Sequence, residues 1–92
     1  MKYYEWNQEK NEALKALREV GFEQIVEIIG TGKDLLDVIP HPNKRKYPGQ
    51  RMYVVNIGGY AYLVPFVETS EKVFLKTIIP SRKATKKYII KP

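Results

Sequence analysis

A chain of 92 residues with 43% apolar content and seven tyrosines can bury a modest core, roughly 60 to 65% of its unfolded surface, which excludes a disordered polyelectrolyte. No cysteine and a single histidine, His41, exclude disulfides, thiolate sites and a multi-histidine zinc site, and no cofactor is expected. The net charge of +6 is uneven: residues 1–40 hold five basic and eight acidic side chains, net −3, whereas residues 41–92 hold eleven basic and two acidic, net +9.

That second half has the footprint of a polyanion binder. Two plainer readings also fit it: lysines that only solvate a small surface, or a surface for an acidic partner protein. The opening residues "MKYYEWNQEK" have no apolar signal region, and no run approaches a membrane span, so a soluble cytoplasmic protein with no membrane partner is expected. Residues 1–92 are expected to form one domain.

In "WNQEKNEALKALREVG", Asn7 is an N-cap candidate ahead of an acidic first turn. Ala13, Leu14, Ala16, Leu17 and Val20 follow at helical spacing, and Gly21 is the expected stop. "FEQIVEIIGTGK" repeats the pattern, with Phe22, Ile25, Val26, Ile28 and Ile29 as its apolar face and Gly30 and Gly32 as its end. "GTGK" lacks the glycine spacing and the Ser/Thr after lysine of a phosphate loop, so it is a helix terminator.

"DLLDVIPHP" predicts a short extended segment stopped by Pro40 and Pro42. "HPNKRKYPGQ" is turn-rich and predicts a surface loop that exposes Lys44, Arg45 and Lys46. His41, held between two prolines, projects from it as the one imidazole available for acid–base work, although a lone histidine is more often incidental.

From Arg51 the period changes to two. "RMYVVNIGGYAYLVPFVE" predicts a β-hairpin turning at Gly58-Gly59, which pairs Ile57 with Tyr60, Val55 with Tyr62 and Tyr53 with Val64. "KVFLKTII" adds a third antiparallel strand; a turn at Thr69-Ser70 pairs Phe66 with Val73 and Val64 with Leu75. One face then collects Val55, Ile57, Val64, Phe66, Val73, Leu75 and Ile79 toward the helices.

The other face carries Leu63, Lys72, Phe74, Lys76 and Ile78. Phe74 between two lysines could stack a base beside phosphate-binding charges. Alternatively Phe74, Ile78 and Leu63 pack under the last segment while the lysines snorkel.

"IIPSRKATKKY" closes the pattern: Ser81 is an N-cap candidate and "RKATKKY" is helix-compatible, carrying Arg82, Lys83, Lys86 and Lys87, with Tyr88 as an anchor. The expected fold class is α+β, two N-terminal helices packed on a largely antiparallel sheet of about four strands, with a short C-terminal helix or turn.

Two stretches covering most of the chain carry a family resemblance. "YEWNQEKNEALKALREVGFEQIVEII" resembles the start of the BrnT-type toxins, which begin aromatic-Glu-Trp-Asp/Asn, carry Lys and Asn in the first helix and continue with Gly then Phe-Glu. "RMYVVNIGGYAYLVPFVETSEKVFLKTIIPSRKATKKY" is similar to that family's arginine, Val-Val strand and closing Ile-Ile-Ser-Ala-Arg-Lys-Ala with a downstream tyrosine. "REVG" stands where the family often has Lys-His-Gly, and Pro80 stands near the usual Ser-Ala step.

The resemblance implies a RelE/ParE-like toxin: a small basic ribonuclease of a toxin–antitoxin pair, silenced by a cognate antitoxin with a ribbon-helix-helix DNA-binding part. It points to Arg51 and to Arg82 and Lys83 as site residues, with Tyr88 structural or bordering RNA.

Attack of a 2′-hydroxyl on the adjacent phosphate needs a proton acceptor, an acid for the leaving oxygen and cations for the pentacovalent charge, which arginine and lysine supply without a metal. His41 is the only imidazole, Glu68 and Glu71 are the only carboxylates in the basic half, and Arg51, Lys76, Arg82 and Lys83 are candidate phosphate clamps. Lys44, Arg45, Lys46, Lys72, Phe74, Lys86, Lys87 and Tyr88 complete the expected RNA surface for messenger RNA, free or on the ribosome. The alternatives are a non-catalytic nucleic-acid-binding module and an inhibitor of a protein target such as a topoisomerase.

Overall fold

The computed structural model describes residues 2–90. Asn7 caps the first helix as expected: its side-chain oxygen accepts the Lys10 amide at 2.9 Å, and α1 runs Gln8–Arg18. The stop comes earlier than Gly21. Glu19 takes the left-handed conformation (φ 58°) and its amide closes on Lys15.

Gly21 instead caps the start of α2, Phe22–Thr31. A Cβ there would stand 3.1 Å from Oδ1 of the buried Asn11 and would press on the mobile ends of Lys15 and Glu23. Gly30 lies inside α2, and Gly32 is the cap.

Asn11 joins the two helices. Fully buried, it accepts the Phe22 amide through Oδ1 at 2.8 Å and donates through Nδ2 to the Glu23 carboxylate at 3.0 Å. One of the unpaired amides at the start of α2 is thereby satisfied from α1. The periodicity of α1 hides this. Leu14 is buried, but Leu17 is 73% exposed, because the inward stripe passes through Asn11 rather than Leu17.

Among the described residues the fold is α+β, with three helices and a six-stranded mixed sheet, where the sequence predicts about four strands. The strands are β1 Tyr3–Glu5, β2 Leu35–Pro40, β3 Arg51–Ile57, β4 Tyr60–Glu68, β5 Lys72–Leu75 and β6 Ile79–Pro80, and α3 spans Arg82–Tyr88. Their order is β1-β5-β4-β3-β2, with β6 on β4. β1 pairs with β5 in parallel, a nonlocal pairing that three residues cannot announce by periodicity.

The β3–β4 register is the expected one, and Gly58 and Gly59 both have positive φ (62° and 85°), as a primed turn requires. The second hairpin is shifted by two: Phe66 faces Leu75, and Glu68 faces Val73, because Thr69 closes the turn on Lys72. A shift of two leaves every side chain on its expected face.

Past Leu75 the parity breaks. Leu75 faces Phe66 and Ile79 faces Leu63, so four steps on one strand answer three on the other, a one-residue bulge. It splits the expected third strand into β5 and β6, turns Ile78 into the core (0% exposed) and leaves Ile79 43% exposed, the reverse of the expected faces.

Two cores result. On one face α1 and α2 cover Tyr53, Val55, Val64, Phe66, Val73 and Leu75, with Phe22 and Ile25 at 0% exposure between the layers. On the other, α3 lies over Val54, Ala61 and Leu63. Fully burying a side chain such as Phe22 contributes about 1.5–3 kcal/mol, so the larger core supplies most of the apolar stabilisation.

Asn11→Ala is expected to leave the Phe22 amide unpaired and to lower the unfolding free energy by about 1–3 kcal/mol in urea denaturation. An unchanged midpoint would remove Asn11 from the helix junction.

Candidate functional site

Short-range chemistry fixes α3. Ser81 caps it, with Oγ accepting the Ala84 amide at 3.1 Å. The Ser81 amide donates to the Ala61 carbonyl at 3.0 Å, while the Thr85 hydroxyl accepts the Ala61 amide and donates to the Ser81 carbonyl, both at 2.8 Å. Thr85 is 3% exposed, so this clasp is dry. At the far end Tyr88 donates its hydroxyl proton to Asp37 Oδ2 on β2 at 2.6 Å.

With Ala84 and Thr85 turned inward, Arg82, Lys83, Lys86 and Lys87 stand exposed. No acidic residue lies in α3. α1 and α2, on the opposite face, carry Glu9, Glu12, Glu23 and Glu27. Those helices also carry Lys10, Lys15 and Arg18, so the sheet separates a helical layer of mixed charge from the wholly basic α3.

The α3 face continues past the helix. The Lys76 amide pairs with the Pro65 carbonyl, and Pro65 faces Met52, which faces Ile39, giving a row across the sheet. The next row on that face holds Phe74 opposite Val67, both 37% exposed, and Gln50, whose carbonyl accepts the His41 amide.

Tyr47 gathers the loop onto these rows. The His41 ring lies 4.4 Å from the Tyr47 ring, and the Lys76 and Lys46 ammonium groups lie 4.8 Å and 5.4 Å from its centre. Lys76 Nζ also donates to Gln50 Oε1 at 3.4 Å. Lys44 and Arg45 remain exposed on the same loop.

The imidazole is oriented. Nδ1 of His41 accepts the Asn43 amide at 3.1 Å, which leaves Nε2 to carry the proton of the neutral ring. In that tautomer the ring donates a hydrogen bond through Nε2 and cannot take a proton there.

The sequence-derived set is thus divided. His41, Lys46, Phe74, Lys76 and the four α3 cations share one face of the fold. Arg51 does not join them. It shares the helix-side face with Phe66, lies 5.2 Å from that ring and is ion-paired to Glu68, which also accepts Lys2. First the Lys2 ammonium, then the Arg51 guanidinium, hold the Glu68 carboxyl below its usual range, which makes it a weak base. Burial, then the nearby Tyr4 and Glu68, push the adjacent Tyr53 phenol up to about 12, so it stays a neutral hydroxyl.

Lys72 is also committed elsewhere, 3.2 Å from Glu5 between β5 and β1. Tyr88 is an anchor, its ring packed beneath α3 and its hydroxyl spent on Asp37. Tyr47, Gln50 and Asp37 are site neighbours that periodicity missed. For Tyr47 one signal existed, an aromatic directly after three cations and before a Pro-Gly turn.

Among the described residues no three His, Asp or Glu side chains converge as a metal-binding set, and no helix is long and apolar enough to cross a membrane. No family model, curated protein or solved structure matches the chain.

The Tyr88–Asp37 bond predicts a two-sided pH response. Donation from Tyr88 holds Asp37 below the usual carboxyl range, and the same bond raises Tyr88. Stability from Asp37 is present above its unfolded pKa and lost as pH falls through the lowered one. Stability from Tyr88 is present below its unfolded pKa and lost as pH rises through the raised one. Amide exchange in α3, compared with that of Tyr88→Phe at each pH, should show an advantage across neutral pH that disappears at both extremes. An advantage independent of pH would show that the ring alone anchors the helix.

Proposed function

We propose that this chain is the toxin of a toxin–antitoxin pair, a metal-independent ribonuclease acting on messenger RNA, free or on the ribosome, and held silent in the cytoplasm by a cognate antitoxin with a ribbon-helix-helix part. The observation that carries this reading is the single basic face on which α3, Lys76, Lys46 and the oriented His41 meet an exposed Phe74. The resemblance at both ends of the chain supports it. Cations beside an aromatic ring suit single-stranded RNA, whose bases stack while its phosphates are neutralised.

In the proposed reaction the 2′-oxygen attacks phosphorus, the bond to the 5′-oxygen breaks, and a cyclic phosphate and a 5′-hydroxyl result. Lys76 and the α3 cations, Arg82 and Lys83 first, neutralise the pentacovalent phosphorane. His41, held as the Nε2–H tautomer, donates a hydrogen bond to a phosphoryl oxygen and keeps its proton, the 2′-hydroxyl proton passes to solvent, and solvent water protonates the leaving 5′-oxygen. Arg51 stays outside this step, occupied by Glu68.

A non-catalytic RNA-binding role is the second reading. The ion pairing of Arg51 on the far face favours it, because the arginine that the resemblance implicates is withdrawn from the basic surface. Such a module binds RNA with a steep salt dependence and leaves it intact.

Induced expression in a bacterial host, with growth and transcript integrity followed together, tests these readings. The native chain should arrest growth with cleaved transcripts. Arg82→Glu with Lys83→Glu should cut RNA at least about 100-fold more slowly and permit growth while keeping the native circular dichroism. Full toxicity of that variant would sink the α3 site. Arrest with intact RNA would point to a protein target such as a topoisomerase, and unimpaired growth with the native chain would remove the toxin reading.

A further inference from the structure

Beside α3 a groove of about 250 Å³ opens between the helix and the segment that leaves β2. Met52 and Leu63 form its floor, Ile39, Pro40 and Pro42 one wall, and Ala84 and Tyr88 the other. Lys83 and Lys87, one helical turn apart, also line it, with Lys87 Nζ 5.3 Å from the Tyr88 ring centre.

Apart from the two ammonium groups, the polar atoms at the groove are few and partly engaged. The Ser81 hydroxyl accepts the Ala84 amide, and the Tyr88 hydroxyl is bonded to Asp37. The side chains of Met52, Leu63, Ile39, Pro40, Pro42 and Ala84 offer no hydrogen-bonding N–H or O–H. What remains is an apolar slot bordered by two ammonium groups, and that pairing selects its ligand.

A nucleobase placed there would find donors only in the two ammonium groups and the Ser81 hydroxyl, so its own N–H groups would lose water with few acceptors to replace it, at a cost of about 1–3 kcal/mol for each group left unpaired. An aliphatic or aromatic side chain loses nothing of the kind. Carboxylates next to it in sequence would meet Lys83 and Lys87. The volume falls below the ~300 Å³ at which small-molecule sites begin and suits one or two apolar side chains.

We infer that this groove is the docking site for an acidic peptide segment that plants a large apolar side chain between α3 and Pro40–Pro42. The inference deepens the partner part of the toxin reading, since such a segment would belong to the antitoxin and would cover Lys83. The two functions meet at Lys83: RNA runs from Arg82 and Lys83 across the Lys76–Phe74–Tyr47 side, and the peptide in the groove takes Lys83 from it.

The test uses the purified full chain, labelled for amide NMR, and a short blocked peptide in which one leucine is flanked on both sides by glutamates. Saturable shifts are expected at Ile39, Met52, Leu63 and Ala84. Replacing the leucine by serine should weaken binding at least about tenfold. Lys83→Glu with Lys87→Glu should weaken it at least about tenfold while thermal melting stays cooperative.

Shifts confined to Tyr47, Phe74 and Lys76, or equal binding of the serine peptide, would overturn the inference. So would a short oligouridylate that occupies the groove residues more tightly than the peptide, or groove shifts that grow with protein concentration alone, which would assign the site to RNA or to a second copy. Because the readout is binding, loss of the groove would leave RNA cleavage standing. Absence of cleavage would equally leave the groove standing.

Discussion

The arrangement of the basic face depends on how one residue of β4 is satisfied. Ala61 presents an amide and a carbonyl toward the edge where β6 ends, and no further strand residue is there to pair with them. Ser81 takes the carbonyl and Thr85 takes the amide, so the helix start is bonded to the sheet as a strand would be. A buried amide left unpaired costs about 1–3 kcal/mol, which gives this clasp more leverage than the small apolar contact of Ala84. Four cations are carried on a seven-residue helix that would not persist alone. Their position is borrowed from Thr85 at one end and Tyr88 at the other.

The sheet has a second role as a divider of charge. The mixed glutamates and cations of α1 and α2 lie on one side, the cations of α3 and the loop on the other, and little exposed carboxylate remains on the basic side to neutralise them. Asp37 is the exception, and Tyr88 and Lys87 occupy it. An approaching polyanion therefore meets attraction concentrated over one face, which orients encounter before contact. Arg51 shows the converse: a cation on the helix-side face, facing Glu68, is removed from that field.

Much of the site was legible where local signals coincide. Asn7 and Ser81 announce their helices because a capping oxygen acts within three residues, and Gly58-Gly59 fixes the β3–β4 register because turn geometry and strand twist agree. The second hairpin was less legible, since "ETSE" admits more than one closure, yet parity survived a slip of two. The bulge after Leu75 could not be read. A single extra residue carries no compositional mark, and it exchanged the places of Ile78 and Ile79. The grouping of Arg51 with Arg82 and Lys83 rested on resemblance, and register placed Arg51 on the other face.

By itself the sequence determined the α+β class, the helix starts, the meander and the concentration of positive charge after residue 40, because caps, turns, period and charge are properties of neighbours in the chain. Tertiary structure alone decided that β1 lies beside β5, that Asn11 rather than Leu17 faces inward, that His41 and Lys76 meet at Tyr47, and that Glu68 engages Arg51. Each of these joins residues distant in sequence, or depends on what surrounds them, and it is the docking of layers that chooses among the partners the chain could offer.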